Sequence, residues 1–317
     1  MATSKKTDVQ SPTDGNGKVE SDSVTAQDKS TATRLNVLKT YKMYINGKFP
    51  RTESGRYIKY APDEKSPVAN VCWGSRKDFR EAVVAARQAQ QGWADASDYL
   101  HSQILYRVAE MLEGRRNQFV EELQLQTLTK TQAKTEVDAA IDQLVYFAGW
   151  CDKYQQVFSS VNPVNASYFN FSVCEPVGVV GILAPEESSL LGLVSSIAPV
   201  LAGGNTCVVL ASENYPLSAI TLAEVLNSSD VPGGVVNVLT GYRSELLNHF
   251  ASHMDVNAVI YYGDDREQIK TLQEMAAGNV KRVFVRETAD YTSEKSRSPY
   301  PILDTVEIKT TWHPVKI

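Results

Sequence analysis

Between Gly178 and Val285 the chain repeats one pattern: a short apolar run rich in β-branched residues, then a stretch with helical spacing, then another run. The runs are Gly178–Ala184, Thr206–Leu210, Val235–Leu239, Ala258–Tyr262 and Arg282–Val285. Short and almost continuously apolar, they read as strands covered on both faces. Parallel neighbours need crossover connections, and the intervening helical segments supply them. The pattern therefore predicts an α/β fold, a doubly wound, Rossmann-like parallel sheet with helices on both sides. Ligands in such folds gather outside the carboxyl ends of the strands, so functional residues are sought directly after each run.

The flanking segments are of other kinds. Met1 to Arg34 has no aromatic residue and only Met1, Val9, Val19 and Val24 as larger apolar side chains, so it is expected as a disordered tail. Order is expected from about residue 35, with Asn46-Gly47 marking a hairpin turn. Helical spacing recurs in Lys77–Trp93, in Ser97–Arg115 (Ile104, Leu105, Val108, Met111 and Leu112 form its stripe) and in about Thr135–Gln155. Tyr168–Val173, within an arm segment spanning 166–175, alternates as a half-exposed strand does. After residue 290 a polar linker, 291–301, leads to a second alternating strand within 302–317. Val306, Ile308 and Trp312 fall on one face of it, and Glu307 and Lys309 on the other. Such a lone strand must pair with something.

Composition removes several classes of function. With 32 basic and 37 acidic residues, the chain lacks the basic footprint of a general nucleic-acid binder. No apolar stretch approaches the roughly 20 residues needed to cross a bilayer; the best, Leu190–Ala202, is broken by Gly192, Ser195, Ser196 and Pro199. Cys72, Cys151, Cys174 and Cys207 have no CxxC spacing and apolar neighbours, and the N-terminus has no apolar signal segment. A cytoplasmic protein with reduced, buried thiols is the expectation. His249 and His253 are spaced to share a helix face, but no third ligand is near them, so no metal site is expected.

Three blocks are similar to the coenzyme domain of aldehyde dehydrogenases. They are Glu175-Pro176-Val177-Gly178-Val179-Val180-Gly181-Ile182-Leu183-Ala184-Pro185, Leu201-Ala202-Gly203-Gly204-Asn205-Thr206 and Val231-Pro232-Gly233-Gly234-Val235-Val236-Asn237. The likeness runs from about Tyr41 to Val285. The terminal strand Val306–Trp312 resembles the one that, in the family, joins a hairpin like that near Tyr168 to form an oligomerisation arm. In the family a whole catalytic domain lies between the coenzyme domain and that strand; here a short linker intervenes. The resemblance thus implies a member without its catalytic domain, close in type to the inactive second module of aldehyde dehydrogenase family 16. Residues 35–290 would be the coenzyme domain and 302–317 the arm strand.

The same resemblance implies that the chemistry is lost. The family attacks its aldehyde with a cysteine thiolate well downstream of the last coenzyme-domain strand, and no cysteine follows Cys207. Its general base lies in a Glu-Leu-Gly-Gly-Lys motif, aligned here with Arg286-Glu287-Thr288-Ala289-Asp290, so Arg286 replaces the glutamate unless the register shifts to Glu287. Its oxyanion-donating asparagine becomes Glu187 in Pro185-Glu186-Glu187-Ser188-Ser189, a charge of the wrong sign. Ser188 or Ser189 would simply cap the helix that follows. Of the family's NAD contacts, a ribose-binding lysine becomes Leu210, its glutamate persists as Glu213, and only Gly263 remains of the pyrophosphate turn. Pro185, Glu213 and Gly263 are vestiges, and NAD binding is weakened. Asp264 with Glu267 is expected as a capping box, and Glu186, Glu187, Glu213, Asp264 and Asp265 are expected on one rim.

Retention of the arm without the chemistry predicts a pseudoenzyme, a non-catalytic subunit that assembles with a full-length aldehyde dehydrogenase through Phe169, Phe171, Val306, Ile308 and Trp312. A homo-oligomer is the other assembly. A stand-alone NAD(H)-binding module and an oxidoreductase with unconventional residues are the competing functions.

Overall fold

The computed structural model describes residues 37–63, 66–287 and 290–315, the side chain of Lys295 excepted. The tail expected for Met1 to Arg34 lies outside the described residues. Of the Arg286–Asp290 segment, Thr288 and Ala289 do too.

The first described elements form a small sheet, β1 (Thr40–Tyr41), β2 (Tyr57–Tyr60) and β3 (Ala69–Cys72), in the order β1-β3-β2. The Asn46-Gly47 signal yields a tight turn with both residues at positive φ and a single bridge, Ile45 to Lys48, in place of a full hairpin. Four helices follow: α1 (Arg76–Ala94), α2 (Asp98–Gly114), α3 (Arg116–Leu125) and α4 (Lys130–Ala148). α1 and α2 lie where the spacing predicts. The third expected helix begins earlier than residue 135, because Thr129 and Gln132 form a capping box, and it stops at Gly149. A separate short helix, α5 (Tyr154–Phe158), covers the remainder.

Next come β4 (Ser160–Asn162) and β5 (Tyr168–Pro176), and then the predicted alternation. It runs β6 (Val179–Leu183), α6 (Leu191–Ala202), β7 (Thr206–Leu210), α7 (Leu217–Asn227), β8 (Val236–Leu239), α8 (Arg243–Ser252), β9 (Ala258–Tyr262), α9 (Arg266–Ala276) and β10 (Arg282–Arg286). The five strands are parallel in the order β10-β9-β6-β7-β8. Every residue of β6, β7 and β8 is buried, which explains their nearly unbroken apolar character. One face packs on α1, α8 and α9 and the other on α2 to α4, α6 and α7. Gly181, in the middle of β6, has no side chain because the Phe250 ring of α8 occupies that place; a Cβ would meet Phe250 Cδ1 at 2.8 Å.

The expected linker carries a 3₁₀ turn (Glu294–Ser296) and leads into α10 (Tyr300–Asp304) and β11 (Val306–Pro314). β11 pairs antiparallel with β5 along its whole length, and β4 covers the other edge of β5, giving the order β11-β5-β4. This arm is fastened to the parallel sheet by Asn205. Its Oδ1 accepts from Gly178 N (2.9 Å) and its Nδ2 donates to Thr305 O (2.8 Å). Arg282 adds a bond to Val306 O (2.6 Å). Among the described residues no helix is long and apolar enough to cross a membrane.

Candidate functional site

The sheet order reverses at β6: β7 and β8 lie to one side of it, β9 and β10 to the other. A crevice for a ligand is expected outside the carboxyl ends of the two strands at such a reversal. Here its walls include Glu186-Glu187 after β6 and Gly263-Asp264-Asp265 after β9, while Pro185 lies against Gly192 of α6. Gly263 turns the chain at φ +145°, a conformation that suits glycine, and a Cβ there would meet the Tyr261 ring at 3.1 Å. The crevice forms a cavity of about 340 Å³, and Glu186, Glu187, Glu213, Asp264 and Asp265 all line it. The acidic residues thus converge as their positions after the strands imply.

Arg243 stands among them, a residue that no motif in the sequence singles out. It is the first residue of α8, yet its side chain reaches across the strand ends. Nη1 donates to Tyr262 O, at the end of β9 (2.8 Å), and Nη2 donates to Ala184 O, just past β6. Its Nε lies 3.1 Å from Glu186 Oε1, an ion pair without hydrogen-bond alignment, and its Cζ lies 5.4 Å from the centre of the Tyr261 ring. Glu186 Oε2 in turn accepts from Ser212 Oγ (2.7 Å), Glu213 N (2.9 Å) and Asn214 N (3.2 Å). Arg243 is only 7% exposed. The one hint in the sequence is a cation opening a helix, where the dipole disfavours it.

The helix N-termini around the crevice are likewise satisfied from within. Glu213 Oε1 accepts from Arg243 N at the start of α8; burial raises the pKa of Glu213, while this backbone bond and the Arg243 charge pull the other way. At α9 the cap is Asp265 and not the expected Asp264. Asp265 Oδ1 accepts from Glu267 N (3.0 Å) and Gln268 N (3.1 Å), because the turn at Gly263 delays the helix by one residue. At α6, Glu136 Oε1 accepts from Leu190 N (3.0 Å) and Leu191 N (3.2 Å), and Ser188 Oγ accepts from Gly192 N (3.0 Å). Of the two serines expected as caps, Ser188 takes the role; Ser189 is buried and paired with Ser218.

The remaining predicted positions lie apart from one another. Arg286, at the end of β10, is ion-paired with Asp304 and so ties the parallel sheet to the segment before β11. Leu210 is wholly buried at the end of β7. Glu187 also borders a second cavity of about 520 Å³, with Glu136, Ser188 and Tyr291 on its wall. All four cysteines are buried, none lines either cavity, and burial pushes the Cys151 thiol up to about 12. His249 and His253 sit against Phe79, and among the described residues no group of three or more His, Cys, Asp or Glu side chains could hold a metal ion.

A pyrophosphate needs free backbone N–H donors, commonly at a helix N-terminus. Here Glu136 and Ser188 engage Leu190, Leu191 and Gly192 N at α6, Glu213 engages Arg243 N at α8, Asp265 engages Glu267 and Gln268 N at α9, and the crevice holds a guanidinium with carboxylates around it. The residues present do not fit the phosphates of NAD without displacing these contacts.

The fold is that of a doubly wound coenzyme domain carrying a three-stranded arm. Residues 49–288 match the family described as the aldehyde dehydrogenase family, and the chain belongs to it. Its relatives include the cytosolic 10-formyltetrahydrofolate dehydrogenase of Xenopus tropicalis, 31% identical over 252 residues (77% of this chain and 28% of that protein). Omega-crystallin of Nototodarus sloanii is 33% identical over 258 residues, 79% of this chain and 51% of that protein. Among solved structures, betaine aldehyde dehydrogenase from Staphylococcus aureus, in complex with NAD+, superimposes with a TM-score of 0.74 at 25% identity, over 78% of this chain and 49% of that one. The chain spans about half the length, or less, of the relatives it matches.

Proposed function

We propose that this chain is a non-catalytic, aldehyde-dehydrogenase-like subunit that assembles with a full-length aldehyde dehydrogenase through the arm. The observation that carries this reading is the outer edge of β11. Among the described residues β11 pairs only with β5, so beyond Val306, whose carbonyl accepts from Arg282, its other edge has no strand partner as far as Pro314. An edge of that length is ready to be extended by a strand from another chain.

The side chains support the same reading and divide it between two faces. Ile308 and Trp312 stand opposite Cys174 and Asn170, whereas Phe169 and Phe171 stand opposite His313 and Thr311. Directly opposed residues share a face, so the two apolar sets look in opposite directions. Ile308 and Trp312 are each 58% exposed and Phe169 is 46% exposed, which is costly apolar surface for an unaccompanied arm. Val306 is 3% exposed and packs over Gly203, so it anchors the arm to its own domain and is not free to meet a partner. The loss of chemistry is consistent with this role: no thiol reaches the rim, Arg286 is committed to Asp304, and Glu187 stands where the resemblance calls for an oxyanion donor.

The test is association of the purified chain with a full-length aldehyde dehydrogenase from the same host, measured by sedimentation. Ile308→Asp and Trp312→Ser are expected to weaken it at least ~10-fold, since each removes a large apolar contact at an interface. A pair of variants that associates as tightly as wild type would show that the arm is not the contact surface.

A further inference from the structure

We infer that Arg243 is the resident ligand of the switch-point crevice: its guanidinium takes the place in which this fold receives a small molecule, and it closes the crevice to dinucleotides. The inference stands apart from the assembly reading, because none of its residues lies on the arm.

Removing the Arg243 side chain in thought leaves a cavity whose nearest groups are acceptors: Tyr262 O, Ala184 O and the carboxylate of Glu186, with Glu213, Asp264 and Asp265 around them. Such a lining repels a pyrophosphate and suits a planar cation with donors on several sides. A guanidinium meets that description; it presents a rigid fork of N–H groups and is more weakly hydrated than an ammonium. Arg243 uses two of its three nitrogens on main-chain oxygens from different strands and places the third against Glu186. Glu186 then carries the linkage to the loop after β7 through Ser212, Glu213 and Asn214. The strands on both sides of the reversal, and the loop beyond β7, are thus held together by one side chain. In a ligand-binding member of such a fold the occupant comes from solution; here it is covalently attached to the first turn of α8.

The arrangement also decides what its loss does. Without Arg243, Glu186 becomes a half-buried carboxylate with no cation beside it, so the damage should exceed that from losing Glu186 and Arg243 together. A lysine in place of Arg243 carries the charge but cannot address both carbonyls and Glu186 in one plane.

The experiment uses the full chain as wild type, Arg243→Ala, Arg243→Lys, Glu186→Gln and the Arg243→Ala/Glu186→Gln double variant. Thermal unfolding is followed with and without methylguanidinium, and NADH fluorescence is titrated to millimolar concentration. The wild type should show no saturable NADH enhancement. Arg243→Ala should melt on the order of 5 °C lower, with the double variant recovering part of the loss and Arg243→Lys falling between. Millimolar methylguanidinium should raise the melting point of Arg243→Ala and leave the wild type unmoved. Saturable NADH binding by the wild type overturns the inference, as does an Arg243→Ala variant that folds but is neither destabilised nor rescued. If Arg243→Ala does not fold, Arg243→Lys decides: a melting point equal to that of the wild type overturns the inference, and a lower one supports it.

Discussion

Glu122 shows how one buried charge can make stability depend on pH. Its Oε1 accepts from Tyr41 Oη (2.5 Å) and Thr221 Oγ1 (2.9 Å), while Oε2 is buried without a hydrogen-bond partner. Burial raises its pKa, although the two hydroxyl donors and Lys39 oppose the rise. With the folded pKa above the unfolded one, the native state holds a proton that the unfolded chain has released. The contribution is therefore full below the unfolded carboxyl range and is lost as pH rises through the folded value. Melting curves of wild type and Glu122→Gln from acid to neutral pH should show the wild type losing ground steadily to the variant; parallel curves would contradict this. Asn205 makes a second residue-scale prediction. Asn205→Ala leaves the buried Gly178 N–H without an acceptor and Thr305 O with Val177 N–H as its remaining donor, which should cost about 1–3 kcal/mol and speed hydrogen exchange in β11. Residues of this kind were legible unequally. Asn205 falls within a block that resembles the family, but Arg243 draws its partners from positions 184, 186 and 262, which only folding brings together.

Elements were easier to read than their ends. Strands β6, β7 and β8 are buried on both faces, so their runs stand out in the sequence almost residue for residue, whereas the edge strand β10 is only half-buried. Helix α4 was misplaced because its start is set by the Thr129–Gln132 capping box, which its apolar spacing does not reveal. α3 was missed since its ten residues begin without a side-chain cap. Burial alternates along β5 as its sequence implies, whereas β11 is exposed from Ile308 to Pro314 on both faces, and the register that separates Phe169 and Phe171 from Ile308 and Trp312 comes from pairing between distant segments. Two element-scale predictions follow from the caps. Asp265→Ala removes the cap of α9 and should cost about 1 kcal/mol in urea unfolding, without changing association. At the other end of a helix, Lys281 Nζ donates to Phe250 O, Ala251 O and His253 O at 2.8–3.0 Å, against the negative end of the α8 dipole. Lys281→Met should destabilise by about 1–3 kcal/mol, read from the same unfolding curves.

Across the whole chain, carboxylates of Glu136, Glu213 and Asp265 engage helix N–H groups beside the parallel sheet, and the arm that Asn205 fastens presents an open edge. The Rossmann-like sheet and the arm were visible in the sequence; the self-satisfied rim was not, because the residue spacing gives no measure of which acid meets which donor. The measurement that tests the assembly proposal most directly is native mass spectrometry of the chain gently purified from its host, together with an NAD-dependent aldehyde oxidation assay on the same material. If the proposed assembly role holds, a complex of fixed ratio with a full-length aldehyde dehydrogenase is expected, with the activity following that partner. A soluble homo-oligomer with no such partner, or aldehyde turnover by this chain alone, would contradict it.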